Sequence, residues 1–507
     1  MNRFGCLSVV CGAIVLAFVS SVATADVTLP RVIDNNMVLQ RDMDLPIWGW
    51  AAPGEEVIVA FAGQKVAGKA DEQGRWQVKL APLKASDKPQ EMTVAGKNTI
   101  RLENILVGEV WVCSGQSNMG MSVSQVIDAE KELAAADHPN IRLFEAPKVV
   151  APRPTSDVYG RWQRCTGETV KGFTAVGYFF GRMLQKELNV PIGLINTSWG
   201  GTRIEPWTPA EAFTEFPKLE DVAEQVRWQS EESAKGLRPL VPAIEAWVKA
   251  ARAAEESGEA LPPLPPLPNS RLSVNTQPTT LYNGMVAGLV PFGIRGAIWY
   301  QGESNVGEGM LYLEKMKALV SGWRKAWGQG AFPFYYVQLA PYRYGQERYK
   351  LPELWEAQTA ALSIPNTGMA VTNDIGMLSD IHPKNKQDVG KRLALWALAK
   401  TYGRNGIVYS GPLYKSMTVE GSKIRVRFEY TGSGLASRDG GPLTWFEVAG
   451  PDGTFVEAKA EIDGDSVVVS SEEVSEPVGV RFAWSQTAQP NLMNKEGLPA
   501  AAFRASK

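Results

Sequence analysis

The sequence predicts an α/β protein in which helices flank a mostly parallel central sheet and β-rich units stand before and after it. Three observations carry that expectation. Residues 26–104 are short alternating stretches separated by turn residues; from Leu106 to about residue 405 compact apolar runs alternate with helically spaced segments; beyond residue 406 the alternation returns. At 507 residues the chain is longer than one hydrophobic core usually organises, so more than one domain is expected.

The first 25 residues read as an export signal. Arg3 supplies a positive start, residues 7–22 are almost wholly apolar, and Ala23-Thr24-Ala25 offers small residues for cleavage before Asp26. The apolar run is shorter than a comfortable membrane span, which argues against an uncleaved anchor, and no later segment has transmembrane character. The mature chain is therefore expected to be periplasmic or secreted, without a membrane span. It keeps two cysteines, Cys113 and Cys165, too few for a disulfide scaffold, and a bridge between these two is left open. Cys113, following Val110-Trp111-Val112, reads as a packing residue.

Within residues 26–105, Leu45-Pro46-Ile47-Trp48-Gly49-Trp50, Glu56-Val57-Ile58-Val59-Ala60-Phe61 and Gly74-Arg75-Trp76-Gln77-Val78 are strands split by Pro53-Gly54 and Gln73-Gly74, as in a β-sandwich. Residues 106–405 hold the α/β unit. Strands are expected at 110–113, 192–195, 294–300, 334–339 and 368–372, and helices at 177–188, 311–327 and 386–400. Residues 205–280 break this rhythm and read as an insertion, with charged helical sequence and the run Leu261-Pro262-Pro263-Leu264-Pro265-Pro266-Leu267-Pro268, which cannot lie inside a sheet. Residues 406–507 form a closing β-rich unit.

Charge excludes some functions. With 52 basic and 54 acidic residues the net charge is −2, which gives no long-range attraction for nucleic acid or anionic lipid, so a small-molecule or glycan ligand fits better. Two histidines and no paired-cysteine motif leave too few good ligands for a metal centre, and no cofactor is expected. The oligomeric state is left open.

Four loops carry the chemistry: 114–119, 197–202, 301–305 and 373–383. Each follows an expected core strand, and in open α/β sheets ligands bind beyond the carboxyl ends of the strands, so distant loops converge on one crevice. The first, Ser114-Gly115-Gln116-Ser117-Asn118-Met119, presents one hydroxyl from a glycine turn; alone, Ser117 is equally a cap or a solvated turn residue. A serine nucleophile needs a base, and the chain offers only His138 and His382. His382, in Asp380-Ile381-His382-Pro383, lies at the functional edge beside a carboxylate, whereas His138 lies in a connection. Asp380 is the first choice to orient the imidazole and Asp374 the second. Donors for an oxyanion are the backbone N–H groups of Ser117 and Gly201 and a side-chain amide from the Gln301 loop.

Together these blocks resemble the sialate O-acetylesterase family of the SGNH hydrolase superfamily. The Ser117 block resembles the family's nucleophile block, Asn196-Thr197-Ser198-Trp199-Gly200-Gly201-Thr202 its glycine block, Trp299-Tyr300-Gln301-Gly302-Glu303-Ser304-Asn305 its third block, and Asp380-Ile381-His382-Pro383 its closing block. Asn491-Leu492-Met493-Asn494-Lys495-Glu496-Gly497-Leu498-Pro499 is similar to its C-terminal signature. The resemblance implies a flavodoxin-like three-layer catalytic domain and cofactor-free hydrolysis of acetyl esters on carbohydrates: Ser117 takes the acetyl group, His382 moves the proton, Asp380 orients His382, and Ser117, Gly201 and Gln301 hold the oxyanion. The superfamily usually has its acid three residues before the histidine, where this chain has Ser379. The third-block asparagine has no obvious equivalent, so Gln301 stands in for it, with Asn305 as alternative. Arg203, Glu303 and Asn305 are candidate substrate-binding residues, Arg203 as a cation for a sialate carboxylate and Glu303 alternatively as a loop organiser. An acetylated sialic acid is the first substrate expectation, acetylated xylan or another polysaccharide the second, and a non-catalytic carbohydrate-binding role the third.

Overall fold

The computed structural model describes residues 26–266 and 274–507, so the expected leader and the end of the proline run lie outside the described residues. Strands β1 (Val38–Gln40), β2 (Leu45–Trp50), β3 (Glu56–Phe61), β4 (Gln64–Lys69), β5 (Arg75–Leu80) and β6 (Ser86–Ala95) lead into β7 (Thr99–Gly115). β2 pairs with β5, and β3 pairs with β4 and β6. β7 is 17 residues long. Its first residues alternate in exposure and pair antiparallel with β6; from Ile105 onward every residue is buried. The boundary expected near residue 105 thus falls inside one continuous strand, where a half-exposed pattern gives way to the continuous burial of a central parallel strand.

β8 (His138–Glu145), β9 (Trp162–Cys165), β10 (Ile192–Asn196), β11 (Gly296–Tyr300), β12 (Phe334–Val337) and β13 (Thr367–Ala370) complete the central sheet, in the order β13-β12-β11-β7-β10-β8-β9. All neighbours on this path run parallel except β8 and β9. β10, β11 and β12 are buried at every position, which fits their uninterrupted apolar sequence.

Helices cover both faces, and strand register tells which. Trp111 lies opposite Gly296 and therefore shares a face with Ile298, whereas Trp299 points to the other face. Trp111 meets Phe180 of helix Ala175–Leu188 edge-on at 5.0 Å, and Trp299 meets Trp323 of helix Leu311–Trp327 at 6.5 Å. Helix Lys386–Trp396 lies beside the first of these; a Cβ on its Gly390 would stand 2.6 Å from the Phe179 Cβ, so this glycine permits the close approach. The helical pattern expected to residue 400 continues as a wider turn, Ala397–Thr401.

The insertion contains two 18-residue helices, Glu220–Leu237 and Leu240–Ser257. The first is rooted by Leu219, Val222 and Val226, which pack with Ala318 of helix Leu311–Trp327. Beyond residue 406 the chain forms two four-stranded sheets and a two-stranded one. The C-terminal block joins these to the centre: Asn491 Nδ2 donates to Ser437 Oγ and Pro442 O, and Asn373 Nδ2, in a crevice loop, donates to Ala500 O at 2.7 Å. Cys113 and Cys165 are free and buried. Among the described residues no helix is long and apolar enough to cross a membrane.

Candidate active site

The chain leaves the end of β7 through Gly115, whose φ of +138° and a Tyr300 carbonyl only 2.2 Å from where a Cβ would stand leave room for glycine alone. The Gln116 N–H donates to that same Tyr300 carbonyl at 3.0 Å, and the next residue, Ser117, opens a one-turn helix, Ser117–Gly120. The glycine loop is tied to this turn by the Trp199 N–H, which donates to Gly115 O at 3.0 Å. Gly200 abuts the nucleophile turn: a Cβ there would lie 3.2 Å from Ser117 Cβ. Gly201 adopts φ +73° and is exposed.

His382 arrives on the loop after β13, and its Nε2 lies 2.8 Å from Ser117 Oγ. Asp380 Oδ1 accepts the His382 backbone N–H at 2.9 Å and lies 3.5 Å from Nδ1 of the ring. This carboxylate therefore both shapes the loop and stands beside the imidazole. Ser117, Met121, Glu145, Lys148, Gly200 and His382 line a crevice of about 740 Å³ over the carboxyl ends of the parallel strands. A concavity of about 600 Å³, lined by Arg295, Tyr335 and Lys400, lies at the opposite strand ends, where Pro333 and Asn366 precede β12 and β13; it contains neither Ser117 nor His382. His138 stands at the start of β8, also at that opposite edge, within 3.3 Å of Tyr178 Oη, and burial and Arg182 hold its imidazole below the usual value.

Several expected site residues face elsewhere. Gln301 is fully buried; its amide donates to Thr202 O at 3.1 Å and Asn305 Oδ1 at 2.7 Å, and its carbonyl accepts from Tyr312 Oη at 2.8 Å. With both N–H groups engaged it has no donor left for an oxyanion, and the expected role is corrected to that of a loop brace. Asn305 is equally spent: it donates to Glu205 Oε2 and Glu308 Oε2 and accepts from the Ile204 N–H. Arg203 pairs with Glu205 and Glu308, beside Lys315, whose ammonium lies 2.7 Å from each of these carboxylates. Burial pushes the Glu205 carboxyl up, but Lys315 and Arg203 outweigh it and hold the group below the usual range. Arg203 and Asn305 thus build a charge network under the third block, and neither lines the crevice. Asp374, the second choice for the acid, is taken by Arg392 through bonds of 2.7 and 2.6 Å.

Glu303 takes the loop-organising role: it accepts from Asn118 Nδ2 and stands beside a buried Lys386 instead of lining the crevice. Asn118 also donates to Ile381 O at 2.9 Å, and its Oδ1 accepts from Lys386 Nζ at 2.5 Å. Sequence reading passed over both residues. The available signal was a lysine in the first turn of an amphipathic helix, the end at which the helix dipole disfavours a cation.

A family model described as carbohydrate esterase, sialic acid-specific acetylesterase matches residues 107–236 and 270–399. Mouse sialate O-acetylesterase is 32% identical over 468 residues, covering 82% of this chain and 81% of that protein. The human sialate O-acetylesterase is 30% identical over 437 residues, with 78% and 75% covered. The crystal structure of a carbohydrate acetylesterase from Xanthomonas citri superposes with a TM-score of 0.81 at 35% identity, covering 95% of this chain and all of that one.

Proposed function

Because the chain belongs to the sialic acid-specific acetylesterase family of carbohydrate esterases and hydrolyses O-acetyl groups from carbohydrates, we propose that it works as a serine esterase through an acetyl-enzyme on Ser117. The observation that carries this reading is the 2.8 Å contact between Ser117 Oγ and His382 Nε2 in the crevice. Nε2 accepts the hydroxyl proton as Oγ attacks the acetyl carbonyl, and the imidazolium then protonates the departing sugar oxygen. In the second half-reaction water, deprotonated by the same nitrogen, releases acetate and restores Ser117. The backbone N–H groups of Ser117 and of the Gly200–Gly201 turn are the oxyanion donors in this reading, since Gly200 packs directly on Ser117. Asp380 stabilises the imidazolium from the Nδ1 side, at 3.5 Å and partly exposed.

The parallel strand order, with helices on both faces and the crevice at the carboxyl ends, supports an SGNH-type catalytic unit. The substrate reading is an acetylated sialic acid, in line with the names of the mouse and human relatives. Lys148 and Lys384 line the crevice and take over the expected role of Arg203 as cations for the sugar carboxylate. Acetylated xylan or another polysaccharide is the alternative, in line with the Xanthomonas citri protein being described as a carbohydrate acetylesterase. The apolar leader supports export, so the working compartment in this reading is periplasmic or extracellular.

Acetate release from acetylated sialic acids and acetylated xylan fragments, by wild type and Ser117→Ala, tests the proposal. Turnover of the sialates that vanishes in the variant supports it. Activity on xylan fragments alone overturns the substrate reading, and undiminished activity of Ser117→Ala overturns the mechanism.

A further inference from the structure

Behind the Ser117–His382 pair lies a polar cluster that does not line the crevice. Asn118 is 1% exposed and Lys386 is fully buried. Asn118 follows Ser117, and Ile381, whose carbonyl it holds at 2.9 Å, precedes His382, so a single side-chain amide spans the two segments that must meet. The other N–H of that amide reaches Glu303 Oε1, and its oxygen accepts from Lys386 Nζ at 2.5 Å. Lys386 also sits 5.1 Å above the Tyr300 ring. The remaining Glu303 oxygen, Oε2, is buried and has no hydrogen-bond partner among the described residues.

An asparagine amide has nearly the same shape in its two flipped orientations, and only its neighbours decide between them. Here the neighbours are of opposite charge. Turned over, the amide oxygen would face the Glu303 carboxylate and the Ile381 carbonyl, and the NH2 group would face an ammonium. Every contact would become repulsive. Burying a cation at a helix N-terminus is unfavourable on two counts, desolvation and the dipole, so simple packing does not account for Lys386.

We propose that Lys386 and Glu303 are positioning residues: their opposite charges lock the Asn118 amide in the orientation that ties the peptide ahead of His382 to the residue behind Ser117, and so hold Oγ within reach of Nε2. The proposal rests on the reading of Ser117 as nucleophile and His382 as base. Burial lowers the Lys386 ammonium to about 7 against the pull of Glu303 and Asp380, and burial raises the Glu303 carboxyl, so each charge costs free energy to form at this position.

The test is steady-state hydrolysis of p-nitrophenyl acetate, with thermal unfolding alongside, for the full chain as wild type, Ser117→Ala, Lys386→Met, and Lys386→Met combined with Glu303→Gln. The single lysine variant is expected to lose about tenfold to a hundredfold in kcat with little change in KM, as small misplacements of reacting groups do. The double variant removes both buried charges together and is expected to unfold no earlier than wild type while keeping the kcat deficit. If Lys386→Met fails to fold, the double variant alone supplies the reading. A double variant with wild-type kcat overturns the proposal, because the charges would then serve stability only. Activity surviving in Ser117→Ala instead overturns the underlying mechanism, so the two failures are distinct.

Discussion

His382 Nε2 stands 2.8 Å from Ser117 Oγ although 265 positions separate the two residues in the chain. The contact is made by loops after two different strands, β7 and β13, that lie three places apart in the sheet. Its geometry suits proton transfer, with donor and acceptor already at hydrogen-bond distance before any substrate enters.

Removing that hydroxyl is the most direct check. Ser117→Ala is expected to reduce kcat for acetate release by about 10⁴-fold or more, the scale seen when a serine nucleophile is deleted. Thermal unfolding should change little, since the side chain lies on a crevice wall.

Asp380 should matter less. It lies 3.5 Å from Nδ1, and the His382 and Asp380 side chains are 39% and 41% exposed, so water replaces part of what the carboxylate does. We expect Asp380→Asn to cost about tenfold to a hundredfold in kcat, well short of the roughly 10⁴-fold loss seen where such an acid is buried. A larger loss in the pH-independent kcat would mean that the carboxylate moves onto Nδ1 during turnover.

Gln301 offers a clean separation of brace from catalyst. Its amide makes three bonds, to Thr202 of the glycine block, Asn305 of its own block and Tyr312 of helix Leu311–Trp327. Gln301→Met keeps the volume and strips those bonds, so unfolding should become easier by about 1–3 kcal/mol. An oxyanion donor would instead lose about 10²–10³ in kcat when removed; kcat is expected to hold within about fivefold of wild type, far inside that range.

The charge network below the third block should report on stability and leave substrate affinity alone. Lys315 is 4% exposed between Glu205 and Glu308, and Lys315→Met is expected to cost about 3–5 kcal/mol by leaving two carboxylates without it. Arg203, 42% exposed, should cost about 1 kcal/mol as Arg203→Met, with KM for an acetylated sialate unchanged. Lys148→Met, in contrast, should raise KM for the sialate and not for a neutral acetylated sugar.

Lys386 makes stability depend on pH. Its ammonium titrates near 10.5 in the unfolded chain and at about 7 in the folded one, where burial lowers it and the Glu303 and Asp380 carboxylates pull the other way. Between these values the unfolded chain holds the extra proton, so the burden of the buried charge is full below pH 7 and lifts as pH rises toward 10.5. The stability of wild type relative to Lys386→Met should therefore increase with pH across that window, by at most about 1.4 kcal/mol per pH unit. Denaturant unfolding of both proteins across the window checks this, and a flat difference would contradict it.

Local chemistry was legible in the chain before any fold was known. Apolar runs such as Ile192-Gly193-Leu194-Ile195 announce buried parallel strands because a strand covered on both faces has no polar positions to spare. The scarcity of histidine did the rest: with two in the chain, and one of them beside an aspartate after an expected strand, the pairing of Ser117 with His382 was the natural reading. Other features were hidden. The long reach of β7 was masked because its first half alternates like an edge strand and only its second half is continuously apolar.

Residue types and their order along the chain therefore determined which elements form, which loops gather at the sheet edge, and which side chains have the chemistry to react. Tertiary structure alone decided how each polar group near those loops is used. Gln301, Asn305 and Arg203 were plausible ligands by type, yet each meets a buried partner that satisfies it, while Asn118 and Lys386, unremarkable by type, stand between the two reacting segments. The physical reason is that a hydrogen bond or a charge acts over a few ångströms of space, and the distance between residues in sequence says nothing about which partner arrives first at a buried amide.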